Sequence, residues 1–437
     1  MLRAFVNAFK IPDLRKKILF TLFIIAVYRF GSHVPVPVVD IEILQRQLEQ
    51  QGATGFLSFI DFFSGGALTR MAVFGLGIMP YITSSIIMQL LVVVIPKLEQ
   101  WQKQGETGIK KINQATRYVT VVLALLQSTG LVFLFHSRSA QLGGVDIFPP
   151  GTFTPQNIAL IVLVMTAGTA MIMWMGELIT QRGIGNGMSV LIFTSVISRL
   201  PQDGRAIYAQ SGPGVFTAIL LIGFAIIVAV VFVEQGQRRI PIQYAKRVVG
   251  RRMTSGGSTY IPLKVNQAGV IPIIFASSVL YFPTLIGSVY QASWFQNFLN
   301  NYVTNPRSFV YMAIYGLLVV FFAYFYTAIA FNPVDTADNL RKYGGFIPGI
   351  RPGQRTSDYI YRVLNRVTFA GALYLATVCI IPEILIYKLG VPFYFGGTSL
   401  LITVGVGLDT AQQIESHMLM RNYEGFLAKG RLKGRSG

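Results

Sequence analysis

Ten apolar stretches, most near the roughly 20 residues a helix needs to cross the hydrocarbon of a bilayer, dictate what this chain can fold into. Their cores lie near residues 18–36, 71–95, 117–135, 157–176, 188–200, 214–233, 267–287, 309–330, 367–387 and 399–414. A chain of 437 residues that is 52% hydrophobic and 13% charged has too little polar surface to cover so much apolar material in water. A mean hydropathy of +0.54 points the same way. The sequence therefore predicts an all-α polytopic membrane protein with ten transmembrane helices. The runs at 188–200 and 399–414 are short, which predicts tilted helices or half-buried ends.

Charge placement tests the count. With the N-terminus in the cytoplasm, alternation puts 29 of the 37 Lys and Arg in cytoplasmic segments, and eight remain outside or at span edges: Arg29, Arg46, Arg70, Arg138, Arg199, Arg205, Arg307 and Lys388. That asymmetry is what orientation by positive cytoplasmic loops requires, and it places both termini in the cytoplasm. Arg3, Lys10, Arg15, Lys16 and Lys17 precede the first run with no small-residue cleavage site behind it, so the first helix is expected to be retained. Ten spans divide at Pro201–Pro213 into five and five, giving an N-terminal half, 1–205, and a C-terminal half, 206–437. An odd number per half makes the halves enter the membrane with opposite orientation, an inverted repeat whose working site lies between them.

One stretch departs from simple spanning. FLSFIDFFSGGALTRMAVFGLGIMPYITSSIIMQLLVVV, Phe56 to Val94, starts with a short apolar piece, breaks at Gly65-Gly66 and resumes as an apolar run containing Pro80. Backbone groups in hydrocarbon must be paired within the protein, so an interruption at membrane depth is tolerated only where it is buried or lines a watery cavity. The piece Phe56–Phe63 is too short to cross and is expected to enter the membrane region and stop.

Two loops are too long and too patterned to be connectors. In 234–265, RRIPIQYAKRVVGRRMTSGGSTYIPLK alternates at Ile240, Ile242 and Tyr244 before a basic tip of Lys246, Arg247, Arg251 and Arg252, and reads as a projecting hairpin. In 331–366, Pro348-Gly349-Ile350-Arg351-Pro352-Gly353 forms a stiff turn that holds one guanidinium outward, a geometry suited to carboxylate or phosphate.

Catalytic chemistry finds little to stand on. Cys379 is the single cysteine, and His33, His136 and His417 lie far apart, which excludes a disulfide framework and argues against a metal site. Glu177, Glu383 and Asp409 are the acids nearest span interiors, each towards a span end and without an evident partner for acid–base work. GIGNGM at Gly183–Met188 neither follows a strand nor opens a βαβ unit, so it reads as a tight turn between helices rather than a phosphate loop. A solute transporter would concentrate coordinating groups at mid-membrane. The broken span instead offers Ile78, Met79, Pro80, Ile82, Thr83, Ser84 and Ser85, a greasy constriction suited to a substrate of no fixed chemistry.

Six motifs, in order along nearly the whole chain, carry a family resemblance: FSGGALTRMAVFGLGIMPYITSSIIMQLL, ITQRGIGNGMS, QRRIPIQYAKR, LKVNQAGVIPIIFASS, FNPVDTADNLRKYGGFIPGIRPG and VPFYFGGTSLLI. The chain resembles the SecY/Sec61-alpha family, channel subunits of the Sec protein translocase. The resemblance implies a passive protein-conducting channel, not an enzyme, that needs no cofactor. It passes unfolded polypeptides across the bacterial cytoplasmic membrane and releases membrane segments sideways into lipid. It implies a plug helix at about 56–68, with Phe56, Phe59, Ile60, Phe63, Ser64, Gly65, Gly66 and Leu68, and a pore ring of Ile78, Ile82, Met188, Ile192, Ile274 and Ile402. Met188 departs from the branched aliphatic usual there, which keeps a seal but softens it. Thr83 and Gln127 match lateral-gate positions, to which the sequence adds Ser277 and Ser278. Arg238, Arg239, Lys246, Arg247, Arg251, Arg252 and Arg351 match docking surfaces for the SecA motor and for ribosomal RNA, where binding should weaken with salt. SecE and SecG subunits, signal sequences, nascent polypeptides and membrane lipids complete the expected partners.

Overall fold

The computed structural model describes residues 9, 11–41, 43–44, 61, 63–141, 148–149, 151–244, 247–249, 252–254, 258–289, 292–303, 308–389 and 397–429. Helix α1 (Pro12–Gly31) opens with proline and Asp13 in its first turn, a pre-set φ and a negative charge at the positive helix end. Helix α2 (Met79–Val94) bends by 98° into α3 (Pro96–Lys103), where Pro96 forces the turn at Ile95. Helix α4 (Glu106–Gln141) and helix α5 (Pro155–Arg182) follow, the latter capped by Thr154, whose hydroxyl accepts from the Asn157 amide. Helix α6 (Gly187–Glu234) is broken at Gly212, which leaves helical φ/ψ and separates the apolar cores near 188–200 and 214–233.

Strands β1 (Gln237–Tyr244), β2 (Arg247–Val249), β3 (Arg252–Thr254) and β4 (Ser258–Lys264) come next. Helices α7 (Ile271–Val289) and α8 (Ser293–Phe298), a π-turn at Leu299–Val303, α9 (Phe309–Ala330), α10 (Pro333–Lys342), strand β5 (Gly345–Phe346), α11 (Gln354–Leu389) and α12 (Gly397–Lys429) complete the chain. Every expected apolar core overlaps one of these helices. Among the described residues five helical segments are long and apolar enough to cross a membrane, or six if the bent α2–α3 pair is one span.

The protein is mostly helical rather than all-α, because the two long loops form a sheet. β1 and β4 pair antiparallel from Gln237↔Lys264 to Gln243↔Ser258, the expected hairpin. β5 then adds to the free edge of β1 through Gln243↔Phe346 and Tyr244↔Gly345, a link the sequence did not reveal. Beneath the sheet Ile240, Ile242 and Leu263 pack with Leu340, Ile347, Ile360 and Leu364, so both loops share one apolar core.

A second correction concerns the run at 71–95. Its helix starts at Met79, with Pro80 in the first turn, where proline's missing N–H costs nothing. Residues 65–78 are turns and bends with one bridge, at Ala72.

The chain forms two compact units: Met1–Asp203 with Thr284–Gln296 and Val406–Gly437, and Gly204–Pro283 with Asn297–Gly405. In the first, α1 packs on α5, and α2, α4 and α5 pack on one another. In the second, α9 lies along α11, which also supports α10 and β4.

Candidate functional site

The non-helical segment of the first unit is built from the inside. Asp61, Phe63 and Ser64 are helical, and the helix ends as the Gly66 amide donates to the Asp61 carbonyl at 3.0 Å. Gly65 and Gly66 both take positive φ, 66° and 84°, which a side chain would resist. The expected plug helix therefore stops at Ser64 and does not reach Leu68. Turn bonds from Met71 to Leu68, Ala72 to Ala67, Gly75 to Ala72 and Gly77 to Phe74 close the following loops, and Val36 and Val73 exchange bonds with Met71 and Val34 across a short bridge. Phe63, Ser64, Ala67, Leu68, Met71 and Ala72 are buried. Irregular backbone is thus paired and shielded inside the protein, as an interruption at membrane depth demands. Phe56, Phe59 and Ile60 lie outside the described residues.

Polar side chains fasten this segment to its surroundings. Asp61 Oδ2 accepts from Arg199 at 2.7 Å, and its Oδ1 accepts from the Thr69 amide at 3.0 Å. Arg29 donates to the Gly65 carbonyl at 3.2 Å and to Ser198 Oγ at 2.9 Å, while the Tyr28 and Ser195 hydroxyls share a bond of 2.6 Å. The sequence named Arg29 and Arg199 as exceptions to the charge asymmetry. That exception was the available signal for their role, and Asp61 gave none.

The segment ends at the aliphatic positions. Ile78 caps α2 and Ile82 lies one turn on, its amide bonded to the Ile78 carbonyl, so both face one side. They are 2% and 8% exposed. Met188 and Ile192 repeat the spacing on α6, half-buried and buried respectively. In the second unit Ile274 is half-buried on α7, and Ile402 is buried on α12. Of the gate positions, Thr83 on α2 turns its hydroxyl to the Met79 carbonyl, and Gln127 is buried on α4. Ser277 lies 3.4 Å from the Tyr315 hydroxyl of α9, and Ser278 donates to the Ile274 carbonyl.

Arg238 and Arg239 are exposed at the base of the hairpin, with the Arg239 guanidinium 4.8 Å from the Tyr260 ring centre. Arg247 and Arg252 sit on the β2–β3 ribbon, whereas Lys246 and Arg251 lie outside the described residues. Arg351 is exposed, and its carbonyl accepts from Thr356.

Most amides of the glycine turn are already committed within the protein. Ile184, Gly185 and Gly187 donate to Thr21, Gln413 and Thr180, and Asn186 caps α6 through the Met188 and Ser189 amides. A Cβ at Gly187 would overlap the Gly176 carbonyl, so the turn exists to let α6 start against α5. Glu177 also has a structural partner after all: Arg117 grips it in a two-pronged bond, 2.7 and 2.8 Å. Asp409 is exposed.

Comparison with known proteins supplies the wider setting. The SecY family model matches residues 72–411. The protein translocase subunit SecY of Mycobacterium bovis is 50% identical over 443 residues, covering 98% of this chain and all of the relative. That of Streptomyces griseus is 52% identical over 441 residues, covering 98% and 100%. Among solved structures, a SecY channel whose plug domain stabilises the closed state superposes with a TM-score of 0.62 at 18% identity, covering 96% of this chain and 95% of the other. Sec61 in the canine ribosome-channel complex superposes with a TM-score of 0.58 at 18% identity, with the same coverage. Protein-conducting channels share this fold, and the chain belongs to the SecY family of protein translocase subunits.

Proposed function

We propose that this chain is the pore-forming subunit of a Sec translocase: a passive channel through which unfolded polypeptides cross a bacterial cytoplasmic membrane and from which apolar segments leave sideways into lipid. Ten spans in two inverted halves, 1–205 and 206–437, surround the path, with both termini in the cytoplasm. The supporting observation is the mostly buried stretch Gly65–Ile78, which leads from the plug directly into the aliphatic face of Ile78 and Ile82, so that stopper and greasy collar are continuous. Ile78, Ile82, Met188, Ile192, Ile274 and Ile402 form that collar, and residues 56–68 with Phe56, Phe59, Ile60, Phe63 and Leu68 form the plug. Apolar rims a few ångströms wide dewet, so ions meet a barrier without any charged group, while a moving chain pushes the rims apart whatever its sequence.

Thr83, Gln127, Ser277 and Ser278 line the sideways exit. A segment there partitions at about −0.3 to −0.6 kcal/mol per central Leu, Ile, Phe or Val against +2.5 or more per charge. The exit therefore sorts by hydropathy. SecE and SecG complete the membrane complex, the SecA motor docks at Arg351 and the hairpin, and ribosomal RNA meets the basic tip from Lys246 to Arg252. The ribosome assignment draws on the canine relative described as part of a ribosome-channel complex.

The test places cysteines at Ile82 and Ile274 in a Cys379→Ala chain and stalls a secretory polypeptide in the reconstituted complex. Crosslinks are expected at both positions and not at Phe224→Cys, which is 66% exposed on α6. Crosslinks at Phe224 alone would overturn the assignment of the path.

A further inference from the structure

We propose that Asp61 and Arg199 are the two halves of a latch that keeps the stretch from Asp61 to Ile78 in its resting seat, with Arg29 as a second clasp. The proposal rests on the plug reading and says what holds the plug shut.

Three features of the geometry carry it. First, the pair is enclosed: the Asp61 side chain is 3% exposed and that of Arg199 15%, at an N–O distance of 2.7 Å. Removing one partner of such a pair strands a charge in a dry site, so the contact is either made or lost and has little middle ground. Second, the carboxylate bridges the turn it belongs to. One oxygen takes Arg199 and the other takes the Thr69 amide beyond Gly65-Gly66, so the arginine holds both sides of the turn at once. Third, all the grips converge on one face of α6. Ser195 lies one turn before Ser198 and Arg199, and the three meet Tyr28, Arg29 and Asp61 respectively.

A charge pair suits a reversible seat better than apolar contact does. In the dry seat it is strong. When a translocating chain opens the pore, water replaces each partner, and the separated charges are no longer stranded. The arginine is a positioning residue that sets how often the resting channel opens.

The measurement is resting ion conductance of the reconstituted translocase complex in planar bilayers, without a translocating chain. Asp61→Asn, which keeps an acceptor for Thr69, and Arg199→Gln should each raise the leak at least about tenfold. The double variant should leak no more than the worse single, and Arg199→Lys, which keeps the charge and leaves the Asp61 bond to Thr69 in place, should stay within about threefold of the native leak. Neutral single variants at the native leak, or a double equal to the product of the singles, would overturn the latch. Deleting 56–68 separates the two ideas. A native leak after deletion ends the plug reading, whereas a raised leak after deletion beside silent point variants ends only the latch. Cys379, 1% exposed, stays unreactive to maleimide in a folded chain. If a neutral variant exposes it, Arg199→Lys decides: a sealed Arg199→Lys channel supports the latch, and a folded but leaky one refutes it.

Discussion

Arg351 was legible from its neighbours alone, because proline and glycine on both sides fix a turn whatever the rest of the chain does. Gly349 and Gly353 take φ of 80° and 108°, and the Ile350 amide closes the turn on Ile347, a member of the apolar core beneath the sheet. The exposed guanidinium is therefore held from below. Arg351→Glu should leave the fold intact and lower motor-driven translocation at least about 30-fold, since reversing a charge at a complementary surface costs several kcal/mol. Translocation by reconstituted vesicles measures it, and a native rate would remove Arg351 from the docking surface. Asp61 and Arg199 were illegible for the opposite reason: 138 residues separate them, and an acid in an apolar stretch says nothing of its partner until the fold is known.

At the scale of elements, hydropathy located helix α2 but misjudged its start. A window sums apolar character, and residues 71–78 are as apolar as a helix interior. What stops them from being helical is backbone chemistry: positive φ at Met71 and Gly77, and a bridge to 34–36 in which the Val36 amide donates to the Met71 carbonyl and the Val73 amide to the Val34 carbonyl. Helix α5 accommodates this at Gly168, where a Cβ would overlap the Val73 carbonyl. Gly168→Leu should thus cost about 2–3 kcal/mol by overpacking and cut hydrogen-exchange protection of Val36 and Val73 about 30- to 100-fold. Gly130→Leu on α4, with nothing within 4 Å of its added Cβ, should change neither. Equal effects would mean that the seat of the segment is not set by its close approach to α5. The hairpin was readable because alternation at Ile240, Ile242 and Tyr244 is local, but its third strand, β5, comes from a loop some hundred residues on and left only a two-residue trace.

For the molecule as a whole, a net charge of +19 permits two explanations, orientation in the membrane and attraction to a polyanion, and the fold allows them to be separated. The basic tip is carried on its own ribbon, β2–β3, while the register from Gln237↔Lys264 to Gln243↔Ser258 and the link to β5 are complete without it. Replacing residues 245–256 with Asn-Gly should therefore leave the sheet and its core standing, since a two-residue turn of that kind suits the twist of paired strands. The excision removes four cations, Lys246, Arg247, Arg251 and Arg252, and leaves 25 of the 29 cytoplasmic Lys and Arg to orient the spans. If these cations neutralise ribosomal RNA phosphates, the slope of log affinity against log salt should become shallower by about 3, with insertion into the membrane unchanged. Binding of purified ribosomes to the reconstituted complex across a salt series measures that slope. An unchanged slope would assign the attraction to other basic loops and leave the tip's charge to membrane orientation, whereas a shallower slope with normal insertion shows that one charge excess serves two ends through separate parts of the fold.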